Sequence, residues 1–303
     1  MRLPAEVSKC VVYVGSAFDR EYRGTAFAVA LEEEDEGVMF RFPYLVTAKH
    51  VAEKIEGNAF LVRINMRDGT VQDFEANYLA NAAVKWYRHP TDQTADVAVT
   101  PWFLPNAADL RLIPVSMMLD ARMMKEHGIG PGDEVYITGL FTHHLGDSRN
   151  TPIVRVGNIA MLPEDKVRVK AKNNTEIEVE AYLVEARSIG GLSGSPVFIH
   201  PTIDLPGLFK WGTNQSATAV AMSETLYVLG LMCAHYDVEL EDIEGTSLGG
   251  VDRNVNIGVG VVIPAQKILD VIFSSELSGV RDEMKEQRSK RKAGARRDLA
   301  ESV

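Results

Sequence analysis

The sequence predicts an all-β fold built as two successive units, followed by a C-terminal helix. Three observations lead there. Short runs rich in Val, Phe, Tyr and Leu recur with turn or charged residues between them, which is the pattern of strands rather than helices. The rhythm breaks once, over residues 103–132, and then resumes. After Pro264 the apolar spacing changes to a helical period. A chain of 303 residues that is 46% hydrophobic and 24% charged can bury a large core in such a frame.

In the first unit, Cys10 to Ala17, Gly24 to Leu31 and Val38 to Ala48 read as strands, separated by Asp19-Arg20-Glu21 and by the acidic run from Glu32 to Gly37. Phe60 to Asn65 and Val71 to Tyr78 follow as a hairpin around Arg67-Asp68-Gly69, and Asp96 to Trp102 closes the set. Six short strands with regular turn punctuation suggest a closed or sandwiched unit. Residues 103–132 carry Pro105, Pro114 and four methionines, with a helical look from Asp120 to Glu126, and read as an inter-unit crossing. The second series opens at Gly130-Pro131-Gly132-Asp133. Its strands are Glu134 to Leu140, Ile153 to Met161, Lys166 to Lys170, Ile177 to Ala186, Ser195 to Ile199, Leu226 to His235 and Asn256 to Ile263. Long loops are expected at 142–150, 200–224 and 237–253. Ala265 to Phe273 reads as an amphipathic helix, and Arg281 to Val303 as a solvated helix or disordered charged tail. The boundaries expected are 1–105 for the first unit, 106–132 for the crossing, 133–264 for the second unit and 265–303 for the helix and tail.

Composition narrows the function classes. A net charge of −10 argues against a nucleic-acid footprint. There is no run of about 18 apolar residues, so no membrane span is expected. Met1 to Val7 lacks a signal-type apolar region, which leads to the expectation of a cytoplasmic protein. Cys10 and Cys233 both sit in apolar strand-like runs and read as buried thiols rather than as a disulfide. No Cys or His spacing resembles a zinc site, and no metal or organic cofactor is expected.

Chemistry concentrates at Gly190-Gly191-Leu192-Ser193-Gly194-Ser195-Pro196. Glycines on both sides of a serine let backbone approach a reacting carbonyl. The amides of Gly191 and Ser193 are then candidates for an oxyanion hole beside an attacking hydroxyl. Ser193 needs a base and a carboxylate. His50 is the candidate base, at the end of the apolar stretch Tyr44-Leu45-Val46-Thr47-Ala48. Asp96, at the head of a Val/Ala run, is the candidate carboxylate, because an acid there is costly to bury without a partner such as an imidazole N–H. His89, His127, His200 and His235 read as structural.

The order His, Asp, Ser and four blocks in sequence resemble the trypsin-like serine peptidases of the chymotrypsin fold. The blocks are Gly24-Thr25-Ala26-Phe27, Thr47-Ala48-Lys49-His50-Val51, Asp96-Val97-Ala98 and Gly191-Leu192-Ser193-Gly194-Ser195-Pro196. Gly258 to Pro264 resembles the last strand before the family's C-terminal helix. The resemblance spans about residues 8 to 274 and implies two six-stranded antiparallel β-barrels, with His50 and Asp96 from the first and Ser193 from the second. It implies peptide-bond hydrolysis through an acyl-enzyme on protein or peptide substrates. Leu192 stands where animal members carry an aspartate, and no Ile-Val-Gly-Gly-like start exists, so the chain resembles bacterial members without N-terminal activation. Ser195 replaces a commoner glycine and leaves a second hydroxyl in the motif, although the register favours Ser193. Lys49 is expected to point to solvent.

The pocket has two readings. Arg187, six residues before Ser193, favours an acidic P1 side chain if it points inward. If it points outward, the wall falls to Ser188, Cys233, Ala234, His235 and Gly258. A catalytically silent or latent peptidase-like binding module is the alternative function, and ester hydrolysis a minor one. The 200–224 loop and the basic tail are candidates for a regulatory partner.

Overall fold

The computed structural model describes residues 3–57, 59–76, 85–141, 145–170, 176–186, 192–200, 226–239 and 254–301, with backbone alone at 170, 235–239, 254–257 and 291–301. The chain begins with a 3₁₀ turn over Val7–Cys10, followed by β1 (Val11–Ser16), β2 (Tyr22–Asp35) and β3 (Val38–Thr47). Then come α1 (Lys49–Ile55), β4 (Phe60–Asn65), β5 (Val71–Ala76), β6 (Tyr87–Arg88) and β7 (Ala98–Pro101). The crossing contributes β8 (Ile113–Pro114) and α2 (Ala121–Glu126). The second unit holds β9 (Glu134–Gly139), β10 (Ile153–Met161), β11 (Val167–Lys170), β12 (Glu176–Val179), β13 (Tyr182–Glu185), β14 (Pro196–Ile199), β15 (Tyr227–Glu239) and β16 (Asn254–Pro264). Helices α3 (Ala265–Ile272) and α4 (Ser275–Glu301) end the chain.

The protein is mostly β, as its alternating pattern requires. The second unit is a closed six-stranded barrel in the order β10-β13-β16-β15-β14-β9. The first is an eight-stranded sheet in the order β5-β4-β1-β2-β3-β7-β6, with β8 lying parallel to β2. A second closed barrel is not present among the described residues. The two ends of that sheet, β5 and β6, flank residues 77–84, which fall outside the description. β6 and β8 are two-residue strands, too short to leave an alternation in the sequence.

Three expectations change on inspection. Ile177 to Ala186 is not one strand: it breaks at Glu180-Ala181 into β12 and β13. Among the described residues β12 pairs only with β11, in a separate hairpin, and alternating charges such as Arg168 and Glu178 suit that hairpin to solvent rather than to a barrel wall. The acidic run after Leu31 is strand as far as Asp35, and the turn is confined to Glu36 and Gly37, both with positive φ. Glu32 pairs across the ladder with Arg41, and Glu33 meets Arg281 and Lys285 of α4, so the first two acids of the run are neutralised in place. The polar loop expected from Asp237 starts later, because β15 and β16 continue their ladder out to Glu239 and Asn254.

The tail is helical and mostly exposed over 282–290, and it departs from expectation at its first residue. Arg281 is buried, not solvated: its Nε lies 2.8 Å from Glu33 Oε1, and Nη1 donates to the Ile272 carbonyl at 2.7 Å. Leu277 is buried beside it, so the first turns of α4 dock on the β2–β3 hairpin. One apolar core runs from the first sheet through Phe198 and Ile263 into Ile268 and Val271 of α3, and a second fills the barrel around Ile137, Val184 and Val262. Cys10 and Cys233 are buried free thiols. No described helix is long and apolar enough to cross a membrane.

Candidate active site

His50 lies in the first turn of α1, directly after β3. Val51, Ala52 and Ile55 bury one face of that short helix and fix its roll. Ala48, at the N-cap, has no side chain with which to cap it. Asp96 supplies the missing acceptor: its Oδ1 takes the His50 backbone N–H at 2.9 Å, and its Oδ2 takes the Nδ1 of the His50 ring at 2.6 Å. A carboxylate at a helix N-terminus is favoured by the unpaired amides there. The second bond selects the tautomer of the neutral ring: with Nδ1 donating to the carboxylate, Nε2 presents its lone pair. Both side chains are about a quarter exposed or less, so the pair is open at one edge.

Ser193 sits on the turn that feeds β14. Leu192 on one side is fully buried in the barrel core, which gives a physical reason for an apolar residue at that position: it anchors the turn. Gly194 on the other side has φ +86, and a Cβ there would lie 2.1 Å from the Thr25 carbonyl and 2.4 Å from Thr47 Oγ1. Only glycine satisfies both conditions. Main-chain bonds complete the frame: Gly194 N donates to Met232 O at 2.8 Å, Met232 N to Ser195 O at 2.8 Å, and Thr25 N to Ser193 O at 3.1 Å. The Thr25 bond brings the turn of the second unit against β2 of the first. A Cβ on Gly24 would fall 2.9 Å from the methyls of Val51 and 3.1 Å from Ser193 O, so the Gly24-Thr25 step is also a packing requirement. The sequence pattern does not mark Thr25 or Thr47 as site residues: small residues stand beside β-branched ones there, but that pattern names no partner.

The two serines of the motif separate cleanly. Ser195 is fully buried and its Oγ lies against the backbone of Gly139, whereas Ser193 is part-exposed. The Ser193 hydroxyl donates to the Cys233 carbonyl at 3.4 Å. Among the described residues no hydrogen bond joins it to His50. Cys233 also lies near the carboxylate: burial first, and then the charge of Asp96, push its thiol well above the ordinary range. Lys49 is part-exposed yet not idle, since its Nζ donates to the Gln93 carbonyl at 2.6 Å on the segment that leads to Asp96.

Of the remaining candidates, Arg187, Ser188 and Gly191 fall outside the described residues, as does the side chain of His235. Ala234 and Gly258 are part-exposed, and Gly258 accepts the Ala186 N–H through its carbonyl at 2.7 Å. Gly258 borders an open groove of ≈ 590 Å³ whose walls include Val156, Asn158 and Glu185, and Ala234 does not line it.

The chain matches no protein-family model and no curated protein. Among solved structures it is similar to the apo protease domain of MamO from Magnetospirillum magneticum, with 14% identity over 88% of this chain and 97% of that one, at a TM-score of 0.51. The fold is that of the trypsin-like serine protease domains. Deg5 aligns at 15% identity over 87% of each chain with a TM-score of 0.45. The inactive form of the M. tuberculosis protease Rv3671c aligns at 17% identity over 88% of this chain and 89% of that one, at 0.43.

Proposed function

We propose that the protein is a serine endopeptidase. The observation that carries this reading is the pair of hydrogen bonds that Asp96 accepts from the backbone and the ring of His50, which in the neutral ring leaves the Nε2 lone pair available. In the first step Ser193 Oγ bonds to the scissile carbonyl carbon while its proton passes to His50 Nε2. Asp96 stabilises the resulting imidazolium, and the amides of Gly191 and Ser193 receive the oxyanion. Collapse breaks the C–N bond, and the leaving amine takes the proton from His50. Water then repeats the sequence on the acyl-Ser193 ester and restores the hydroxyl. Substrates are proteins or peptides held in an extended form, with an acidic P1 residue if Arg187 faces the pocket. The protein acts in the cytoplasm, and the 200–224 loop or the C-terminal tail is where a regulatory partner engages.

A second reading has its own support. The Ser193 hydroxyl is turned toward the Cys233 carbonyl, which suits a latent or silent module. Labelling wild type, Ser193→Ala and Ser195→Ala in parallel with a fluorophosphonate separates the two readings. Loss of label in Ser193→Ala alone supports the peptidase. A folded wild type that takes no label supports the latent form, and loss of label in Ser195→Ala alone reassigns the nucleophile.

A further inference from the structure

Asp96 reaches His50 from the end of a stretch with no regular structure, between β6 and β7. Such a segment drifts unless it is tied. Here it is tied from three sides. Within the turn, Asp92 Oδ1 accepts from the Thr94 amide at 2.9 Å and from its hydroxyl at 2.6 Å, and the Asp92 carbonyl accepts the Ala95 N–H at 3.3 Å. From α1, Lys49 holds the Gln93 carbonyl. From α3, Lys267 and Asp270, three residues apart on one helical face, hold the rest. Asp270 Oδ2 lies 3.1 Å from His89 Nε2, while His89 Nδ1 accepts the Asp92 N–H at 2.9 Å.

Lys267 stands out among these ties. Its side chain is 13% exposed, unusual for a lysine unless it is paired. It is paired twice: Nζ lies 3.0 Å from Asp92 Oδ2 and 2.8 Å from Glu180 Oε2. Burial alone would lower its pKa, but the two carboxylates outweigh that and raise it, so the charge is held. Asp92 belongs to the first unit. Glu180 belongs to the second, at the break between β12 and β13. The part-buried cation therefore spans the two units, and its partner Asp92 lies four residues before Asp96.

We infer that Lys267 is a positioning residue: by bridging Asp92 and Glu180 it holds the 90–95 turn so that Asp96 meets both N–H groups of His50, and it locks that pair to the barrel that carries Ser193. The catalytic consequence rests on the peptidase reading; the geometric one does not. The test uses the full chain with Lys267→Met, Lys267→Arg, Glu180→Gln and, as a control, Val271→Ala, which weakens the packing of α3 without touching the bridge. Two readouts are taken. One is the saturating rate and half-saturation concentration of fluorophosphonate labelling. The other is the low-field proton NMR resonance of the His50 Nδ1–H bonded to Asp96.

Lys267→Met is expected to lower the saturating rate on the order of 10-fold, with half-saturation unchanged, and to move or broaden the resonance, because small misplacements of a catalytic group are costly. Glu180→Gln should fall between it and wild type, and Lys267→Arg should restore most of the rate. Val271→Ala should lose stability while keeping the rate and the resonance. An unchanged resonance in folded Lys267→Met overturns the inference whether or not the protein labels. So does a Val271→Ala rate as slow as that of Lys267→Met. A wild type that never labels counts against the peptidase reading instead, and the resonance then decides the positioning role by itself.

Discussion

The two halves of the candidate site are held by different means. On the first unit, His50 and Asp96 are joined side chain to side chain and side chain to backbone, and the segment behind Asp96 is pinned by Lys49, Lys267 and Asp270. On the barrel, the Ser193 turn is held by backbone bonds and by two positions that admit one kind of residue each, a buried Leu192 and a left-handed Gly194. The Ser193 side chain itself faces a carbonyl rather than the base. The candidate His50–Asp96 pair is thus assembled by charge, and the candidate nucleophile Ser193 is placed by sterics with one rotatable bond left over. Turning χ1 of Ser193 is a small motion, with staggered wells to either side. A site divided in this way keeps its costly electrostatic arrangement fixed and leaves its adjustable part on the hydroxyl.

The sharpest break of that comparison is at the residues assigned to the proposed reaction. Ser193→Ala or His50→Ala should cost on the order of 10⁶ in kcat on a cleavable peptide, because residues that act as a unit fail together. Asp96→Asn keeps the shape but not the charge and invites the wrong tautomer, so a loss of about 10⁴ in kcat is expected. These two losses are read by steady-state kinetics with an active-site titration; near-full turnover in either would separate the geometry from the chemistry.

The steric half is tested by Gly194→Ala. With φ at +86 and its new Cβ 2.1 Å from the Thr25 carbonyl, the turn must move. A loss of at least ~2 kcal/mol in urea unfolding is expected, together with loss of label at Ser193. The electrostatic half is tested by acid. Burial would raise the Asp92 carboxyl, but the Thr94 hydroxyl, Lys267 and the Thr94 amide outweigh it and hold the group well below the usual carboxylate range. A depressed folded value stabilises the protein above the unfolded value of about 3.9 and loses that contribution as pH falls toward the folded one. The stability gap between wild type and Asp92→Asn should therefore be full at pH 7 and narrow by pH 3, as read from urea midpoints. The smallest expected effect is none at all. Burial pushes the Cys10 thiol up, and burial with Asp96 does the same to Cys233, so the native protein should resist iodoacetamide at pH 8 while the unfolded chain reacts.

What the sequence determined by itself was local. Alternating Val, Phe and Leu place most of the strands, Arg67-Asp68-Gly69 marks its hairpin, and the spacing after Pro264 marks α3, because each is encoded within a few residues of itself. Ser193, His50 and Asp96 could be singled out because a glycine-flanked hydroxyl, a histidine closing an apolar strand and an acid opening one are each unusual in place. Tertiary structure alone decided what those signals meet. No local pattern says that Asp96 caps α1 with one oxygen and binds the His50 ring with the other, that Leu192 plugs the barrel, or that Gly24 is small to clear Val51. Nor does any local pattern say that Lys267, more than 170 residues after Asp92, closes a bridge between units. These contacts join residues far apart in sequence, and their energy exists only once the chain has brought both partners out of water to the same point.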